Sequence, residues 1–155
     1  MLRVITVAAL DWRSGLEYGL EAVHRLTQRG TPAHYTIIGA GSFLEAVIVA
    51  RREFALDGQV EILLTADEAR IAEQMRQAEV FLLPCVAPGA SHGLAAAVEI
   101  GKPVVAFDQA EVVAALHGYA AARIVPRRDA AALADALSAA GELAQRHIGG
   151  GEGGD

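Results

Sequence analysis

Short apolar runs alternate along the chain with longer segments in which apolar residues recur every three or four positions. The short runs are rich in β-branched residues and almost continuously apolar, which is typical of strands that helices cover on both faces of a parallel sheet. Six such runs predict strands at residues 2–7, 34–38, 60–64, 80–83, 104–107 and 123–125. Strands that alternate with helices in this way predict an α/β fold.

The helical segments each present one apolar stripe. The first carries Leu16, Leu20, Val23 and Leu26, and it is expected to stop at Gly30. The same period predicts four further helices. Their stripes are Leu44, Val47, Ile48 and Phe54 in the second helix, Ile71, Met75 and Ala78 in the third, Leu94, Ala97 and Val98 in the fourth, and Val112, Val113 and Leu116 in the fifth. A last helix is expected to have Asp129 as its N-cap and to bury Leu133, Ala136, Leu137 and Ala140. Crossovers of this length predict a doubly wound, Rossmann-like parallel sheet of about six strands in a three-layer αβα arrangement.

Length and composition narrow the class of protein. At 155 residues we expect one compact domain over residues 1–146, followed by a disordered glycine-rich tail at 147–155. With 53% hydrophobic and 21% charged residues the chain is not intrinsically disordered, and no apolar run reaches the roughly 20 residues of a membrane span. The formal net charge of -6 disfavours nucleic acid as a partner, so a phosphate ligand would need a local binding site.

Cysteine and histidine point to no metal chemistry. Cys85 is the single cysteine, which excludes an internal disulfide and a cysteine-based zinc site. Four histidines form no metal-ligand pattern: His24, His34, His117 and His147. We therefore expect no metal and no other cofactor. The first residues lack the long apolar core of a secretory signal, and the chain is predicted to be cytoplasmic.

Ligands of open parallel sheets bind at the loops that leave the carboxyl ends of the strands. After the second predicted strand, Gly39 and Gly41 open a helix, but Leu44 stands where the dinucleotide fingerprint has its third glycine. The signal for dinucleotide binding is therefore weak. A tight strand-to-helix turn with Ser42 as N-cap is the preferred interpretation.

Two other loops combine glycine with polar residues. The loop after the first strand contains Arg13, its only cation, followed by Ser14. The loop at 89–93 has a glycine at each end, which lets the backbone approach a ligand, and a serine and a histidine near the start of a helix, where free N–H groups favour an anion. A plain glycine-containing surface loop explains the same residues equally well.

Four stretches carry a recognisable combination of motifs. They are WRSGLEY at 12–18, YTIIGAG at 35–41, AEVFLLPC at 78–85 with GKPVVAFD at 101–108, and VPRRD at 125–129 with ALADAL at 132–137. Together they resemble the C-terminal, donor-nucleotide-sugar half of retaining glycosyltransferases of the GT-B fold, of the large family 4 type. The resemblance extends from about Leu2 to Leu137.

The polar residues that hold the donor in that family are absent at the matching positions. Its members carry an arginine and a lysine in the first loop to neutralise the donor diphosphate, and this chain has Ala9 and Ser14 there, with Arg13 adjacent. The family's two glutamates, one reaching the donor sugar and one the ribose, fall on Pro88 and Ala96. The resemblance thus implies a donor site that has degenerated.

The resemblance also implies what the domain would do. It would be the donor-binding half of an enzyme that transfers a glycosyl group from a nucleotide sugar, inactive as this chain alone and with no catalytic residue assigned. A glycine pair near the phosphates is replaced by Ala110 and Glu111, and Glu111 would repel a diphosphate. The residues expected nearest to the donor are Arg13, Ser14, Gly89, Ala90, Ser91, His92, Gly93 and Leu94.

The expected partners follow from the same resemblance. They are a nucleotide sugar, bound weakly or no longer bound, and an N-terminal acceptor domain or a partner subunit. The alternatives are a non-catalytic nucleotide- or protein-binding domain derived from a glycosyltransferase, and an unrelated Rossmann-like domain with the same fold.

Overall fold

The computed structural model describes residues 1–153, and the side chains of residues 1–144. Six strands form one parallel sheet: β1 (Leu2–Val7), β2 (Ala33–Ile38), β3 (Val60–Leu63), β4 (Val80–Leu83), β5 (Val104–Phe107) and β6 (Ala122–Val125). Their order across the sheet is β3-β2-β1-β4-β5-β6. The predicted doubly wound α/β fold is confirmed, and the predicted strand ends differ from the observed ones by no more than one residue.

Six helices join or follow the strands: α1 (Leu16–Gln28), α2 (Leu44–Glu53), α3 (Glu68–Gln77), α4 (Leu94–Glu99), α5 (Ala110–Ala115) and α6 (Ala130–Gly153). A 3-10 turn, Trp12–Ser14, precedes α1. The predicted tail at 147–155 falls on the end of α6, where side chains are not described, and on 154–155, outside the described residues. None of the helices within residues 1–153 combines the length and the apolar composition needed to cross a membrane.

Two hydrophobic layers cover the sheet, one on each face. Helices α1, α2 and α6 pack on one face, and α3, α4 and α5 pack on the other. Strand β1 serves both layers, because Val4 points into the first and Ile5 into the second. The stripe of α1 lies in the first layer, where Leu16 and Leu26 are fully buried. Burial on both faces explains why β1, β4 and β5 are apolar at nearly every position, whereas the edge strands β3 and β6 are partly exposed.

Acidic caps begin two of the helices. Asp129 accepts a hydrogen bond from the Ala132 N–H at 2.9 Å, as predicted for the last helix. Asp67 caps α3 by accepting the Ala69 N–H at 3.0 Å. These bonds satisfy N–H groups that the first turn of a helix leaves without partners.

The cap predicted for α2 is wrong. The helix begins at Leu44 after Phe43, and no side chain caps it. The reason lies in the preceding loop, where the Phe43 N–H donates to the Leu10 carbonyl at 2.8 Å. That bond holds the residue just before α2 against the loop after β1. Ser42 is exposed and does not cap the helix.

A buried chain of hydrogen bonds joins three strands inside the first layer. The Thr6 hydroxyl lies 2.6 Å from the Tyr35 hydroxyl and donates to the Leu82 carbonyl, also at 2.6 Å. Because Leu82 offers only an acceptor, the Tyr35 hydroxyl is the donor to Thr6. Both hydroxyls are fully buried, and burial raises the pKa of Tyr35 above its ordinary value. The pair therefore ties β2 to β1 and β1 to β4.

Candidate functional site

The loops that follow β1 and β4 meet at the carboxyl edge of the sheet. These strands are neighbours in the sheet although β2 and β3 separate them in the sequence, so the strand order reverses between them. Ala8 forms an isolated antiparallel bridge with Ser91, and the Val86 N–H donates to the Arg13 carbonyl at 2.9 Å. The structure thus brings together the two loops, 8–15 and 84–93, that contain nearly all the residues predicted to lie nearest to a donor.

Arg13 is held inside the first loop by Asp11. The Asp11 carboxylate accepts the Arg13 N–H at 2.9 Å, and it also accepts from the guanidinium Nε at 3.1 Å and Nη2 at 2.7 Å. The hydrogen bond from the Arg13 side chain holds the pKa of Asp11 below its ordinary value. The cation nearest to the site is therefore already paired with an acid.

Ser14 faces the interior. Its side chain is fully buried, and its hydroxyl donates to the Ala9 carbonyl. Positions 9 and 14 are therefore neighbours, as the arginine and lysine of a diphosphate site would have to be. In this chain neither position carries a charge, and the Ser14 hydroxyl already has a partner within the loop.

The second loop presents backbone to the site and apolar side chains to the core. Gly89 and Gly93 both adopt left-handed backbone, with φ of 89° and 73°. Ala90 and Leu94 are buried in the layer of α3, α4 and α5, so neither side chain is available to a polar ligand. His92 is exposed between them.

Glu111, at the start of α5, reaches over this second loop. Its Oε1 atom lies 3.4 Å from the Gly89 nitrogen and 3.3 Å from the Ser91 hydroxyl oxygen, and it accepts from both. A Cβ placed on Gly89 would come within 2.8 Å of the Arg13 Nη1, so the guanidinium lies against the same glycine. The sequence indicated a repelling charge at Glu111, but it gave no sign of these two bonds.

Beneath the loops lies the thiol of Cys85. It is buried, and this burial, reinforced by the negative charges of Glu111 and Asp11, raises its pKa to about 12. A thiol with this pKa stays protonated near neutral pH, so Cys85 cannot serve as a nucleophile there.

The positions matched to the family's glutamates lie open to solvent. Pro88 is exposed at the tip of the second loop, and Ala96 is exposed on α4. Neither side chain can hydrogen bond to a sugar. Among the described side chains of loops 8–15 and 84–93 and of α5, the acids are Asp11 and Glu111, and both already accept hydrogen bonds within the chain.

The glycines after β2 serve packing rather than a ligand. Cβ atoms on Gly39 and Gly41 would collide with the carbonyl oxygens of Ala8 and Leu10, respectively. The Leu10 N–H also donates to the Ala40 carbonyl at 3.0 Å. The turn after β2 is therefore packed directly against the loop after β1.

A doubly wound sheet whose loops converge where the strand order reverses defines the chain as a Rossmann-like α/β domain. The family model of group 1 glycosyl transferases matches residues 2–142, and the chain belongs to this family. The resemblance found in the sequence is thereby confirmed.

Two proteins that are named glycosyltransferases are similar to this chain in sequence. The chain is 30% identical over 148 residues to WcaL of Escherichia coli K12, a protein named as a colanic acid biosynthesis glycosyltransferase. It is 30% identical over 142 residues to the amylovoran biosynthesis glycosyltransferase AmsK of Erwinia amylovora. These alignments cover 92% and 88% of this chain but 36% and 35% of the relatives. The chain therefore spans about a third of the length of the relatives that it matches.

Solved structures share the fold. A sucrose-phosphate synthase from Thermosynechococcus elongatus superposes with a TM-score of 0.76 at 22% identity, covering 89% of this chain and 35% of that one. A glycosyltransferase from Rickettsia africae superposes with a TM-score of 0.77 at 15% identity, covering 90% and 37%.

Proposed function

We propose that this chain is the donor-nucleotide-sugar half of a glycosyltransferase and that it does not transfer sugar by itself. Family membership supports the assignment to a glycosyltransferase. Because the chain matches only about a third of each relative, we propose that it acts together with an acceptor domain or a partner subunit. The buried, free thiol of Cys85 fits the reducing cytoplasm, where we place the protein.

One observation carries the proposed inactivity. Three groups at the carboxyl edge that could meet a diphosphate are already paired within the chain: Arg13 with Asp11, and the Gly89 N–H and the Ser91 hydroxyl with Glu111. A nucleotide sugar would have to break these bonds and bring its negative charge beside two carboxylates. Loss of a charged partner from an anion site costs about 2 to 5 kcal/mol, so the lost contacts weaken binding far more than tenfold.

Calorimetry with UDP, GDP and their sugars tests this proposal. We expect the native chain to bind these ligands with a Kd no lower than ~1 mM, about -4.1 kcal/mol of binding free energy, and to show no donor hydrolysis. Micromolar binding by the native chain would contradict the proposal. Trp12 is the single tryptophan and lies in the first loop, so its fluorescence gives an independent readout of the same site.

Restoring the family pattern is the matching gain-of-function experiment. Pro88→Glu with Ala96→Glu places carboxylates at two exposed positions, where the fold tolerates them. Ala9→Arg with Ser14→Lys restores the charges in the first loop, although Ser14 is buried and a lysine stem must displace its bond to the Ala9 carbonyl. We expect the combined variant to bind a nucleotide at least about tenfold more tightly than the native chain.

A second candidate function is a non-catalytic domain that binds another protein. The exposed side chain of Trp12, at 58%, favours it, because large exposed aromatic residues are frequent anchors of protein interfaces. A protein partner would bury Trp12 and shift its emission to shorter wavelength. Nucleotide binding by the restored variant, with no protein partner that buries Trp12, would favour the donor-binding function.

A further inference from the structure

We propose that Glu111 is the internal occupant of an oxyanion subsite formed by the Gly89 N–H and the Ser91 hydroxyl, so that the chain occupies this subsite itself. The inference rests on the proposed function, since it concerns regulation of the same site. It gives Glu111 a definite role, namely competition with a free oxyanion for two hydrogen-bond donors.

The geometry of the contact supports this role. A backbone N–H and a side-chain hydroxyl from one loop converge on a single carboxylate oxygen of Glu111. Donors that converge on one charged oxygen are arranged as they would be for an oxygen of a phosphate. At 3.3 and 3.4 Å the bonds are longer than the usual range, so the carboxylate is held loosely enough to be displaced.

The surroundings of the contact are also suited to an anion. The Arg13 guanidinium lies against Gly89, on the loop that supplies the N–H donor. Asp11 neutralises Arg13, so Glu111 is the acid in direct contact with the second loop. Removal of the Glu111 charge would leave the Gly89 N–H and the Ser91 hydroxyl free, beside an Arg13 guanidinium that stays paired with Asp11.

Helix capping does not require Glu111. The N-cap residue of α5 is Gln109, whose side chain accepts the Val112 N–H at 3.2 Å. Glu111 is exposed in the first turn, and its bonds to the loop are the ones that distinguish it from an ordinary surface glutamate. Its replacement should therefore leave the fold intact.

The test compares pyrophosphate binding by the native chain, Glu111→Ala and a control, Glu99→Ala. Glu99 is exposed at the end of α4, forms no ion pair among the described residues, and its loss changes the net charge equally. Calorimetry and Trp12 fluorescence should show at least tenfold tighter binding for Glu111→Ala than for the native chain or the control. Ser91→Ala in the Glu111→Ala background should reverse most of that gain.

Equal affinity in the native chain and Glu111→Ala would overturn the inference, and so would an equal gain in Glu99→Ala, which would mean that only net charge matters. Glu111→Gln keeps the size of the side chain, so it should show part of the gain even if the alanine variant folds poorly. If Glu111→Ala binds pyrophosphate while neither it nor the restored variant binds any nucleotide, the inference stands and the proposed donor function fails. If the restored variant binds a nucleotide and Glu111→Ala leaves pyrophosphate binding unchanged, the inference fails and the proposed donor function stands.

Discussion

Asp11 and Arg13 are joined by two nearly parallel hydrogen bonds, from Nε at 3.1 Å and from Nη2 at 2.7 Å. This fork-to-fork arrangement fits the planar guanidinium to both carboxylate oxygens. The two residues are two positions apart in the sequence, so the ion pair forms within the loop and no other element contributes to it. The loop after β1 therefore neutralises its own cation.

The first prediction concerns the pH dependence of this pair. The pKa of Asp11 is lower in the folded chain than its ordinary value of 3.8. The stabilisation is therefore complete above that value and is lost as the pH falls through the lower, folded pKa. Asp11→Asn keeps an acceptor for the N-cap bond but removes the charge. In urea unfolding we expect this variant to be less stable than the native chain at pH 7, with the gap closing toward pH 2. A gap that is constant with pH would show that the charge does not matter.

The second prediction tests the packing of the turn after β2. Gly39→Ala should lower the free energy of unfolding by at least about 2 kcal/mol, because the new Cβ meets the Ala8 carbonyl oxygen and backbone must move. Gly58→Ala is the matched control, since Gly58 has open space around it and no positive φ. Its stability should stay within about 0.5 kcal/mol of the native value. Similar losses in the two variants would contradict the packing that we describe.

The third prediction orders two substitutions in the buried hydroxyl chain. Thr6→Val leaves both the Tyr35 hydroxyl and the Leu82 carbonyl without a partner, so it should cost about 2 to 4 kcal/mol. Tyr35→Phe removes a donor but leaves the bond from Thr6 to Leu82, so about 1 to 2 kcal/mol is expected. Chemical denaturation of the single and double variants measures both values. The double variant should be more stable than the sum of the single losses implies. Strictly additive losses would mean that the two hydroxyls do not stabilise each other, and they would contradict the hydrogen bond between them.

The fourth prediction concerns the thiol of Cys85. A pKa raised from about 9 to about 12 lowers the thiolate fraction at pH 8 by roughly three orders of magnitude. In the native chain a thiol reagent should therefore react with Cys85 at least about a hundred times more slowly than with free cysteine. Reaction in urea should become fast once the chain unfolds. Rapid labelling without denaturant would mean that the Cys85 thiol is accessible to solvent in the folded chain.

The strands and the stripe of α1 could be predicted because their signals are local. A strand buried on both faces is apolar at almost every position, and the stripe from Leu16 to Leu26 repeats with the period of a helix. The same holds for Asp129, which lies just before an apolar period and caps it. Each of these signals is contained in about a dozen neighbouring residues.

The errors and omissions have a different origin. Ser42 does not cap α2 because the entry to that helix is fixed by Leu10, which is distant in the sequence. The bonds of Glu111 to the second loop depend on where α5 places its first turn relative to β4, and no spacing along the chain encodes that distance. The charges at the site could be found from the sequence, but the pairing of Glu111 with the second loop required the tertiary arrangement.

Strand β1 has a shorter ladder with β4 than with β2. Strand β1 pairs with β2 along its whole length, from Leu2 to Val7, but it pairs with β4 only at Val4 and Ile5. Hydrogen exchange should therefore be faster for the amides that join β1 to β4 than for those that join β1 to β2. The two site loops leave from opposite sides of this short ladder, so the bonds between the loops, Ala8 with Ser91 and Val86 with Arg13, extend the connection between β1 and β4 at the carboxyl edge.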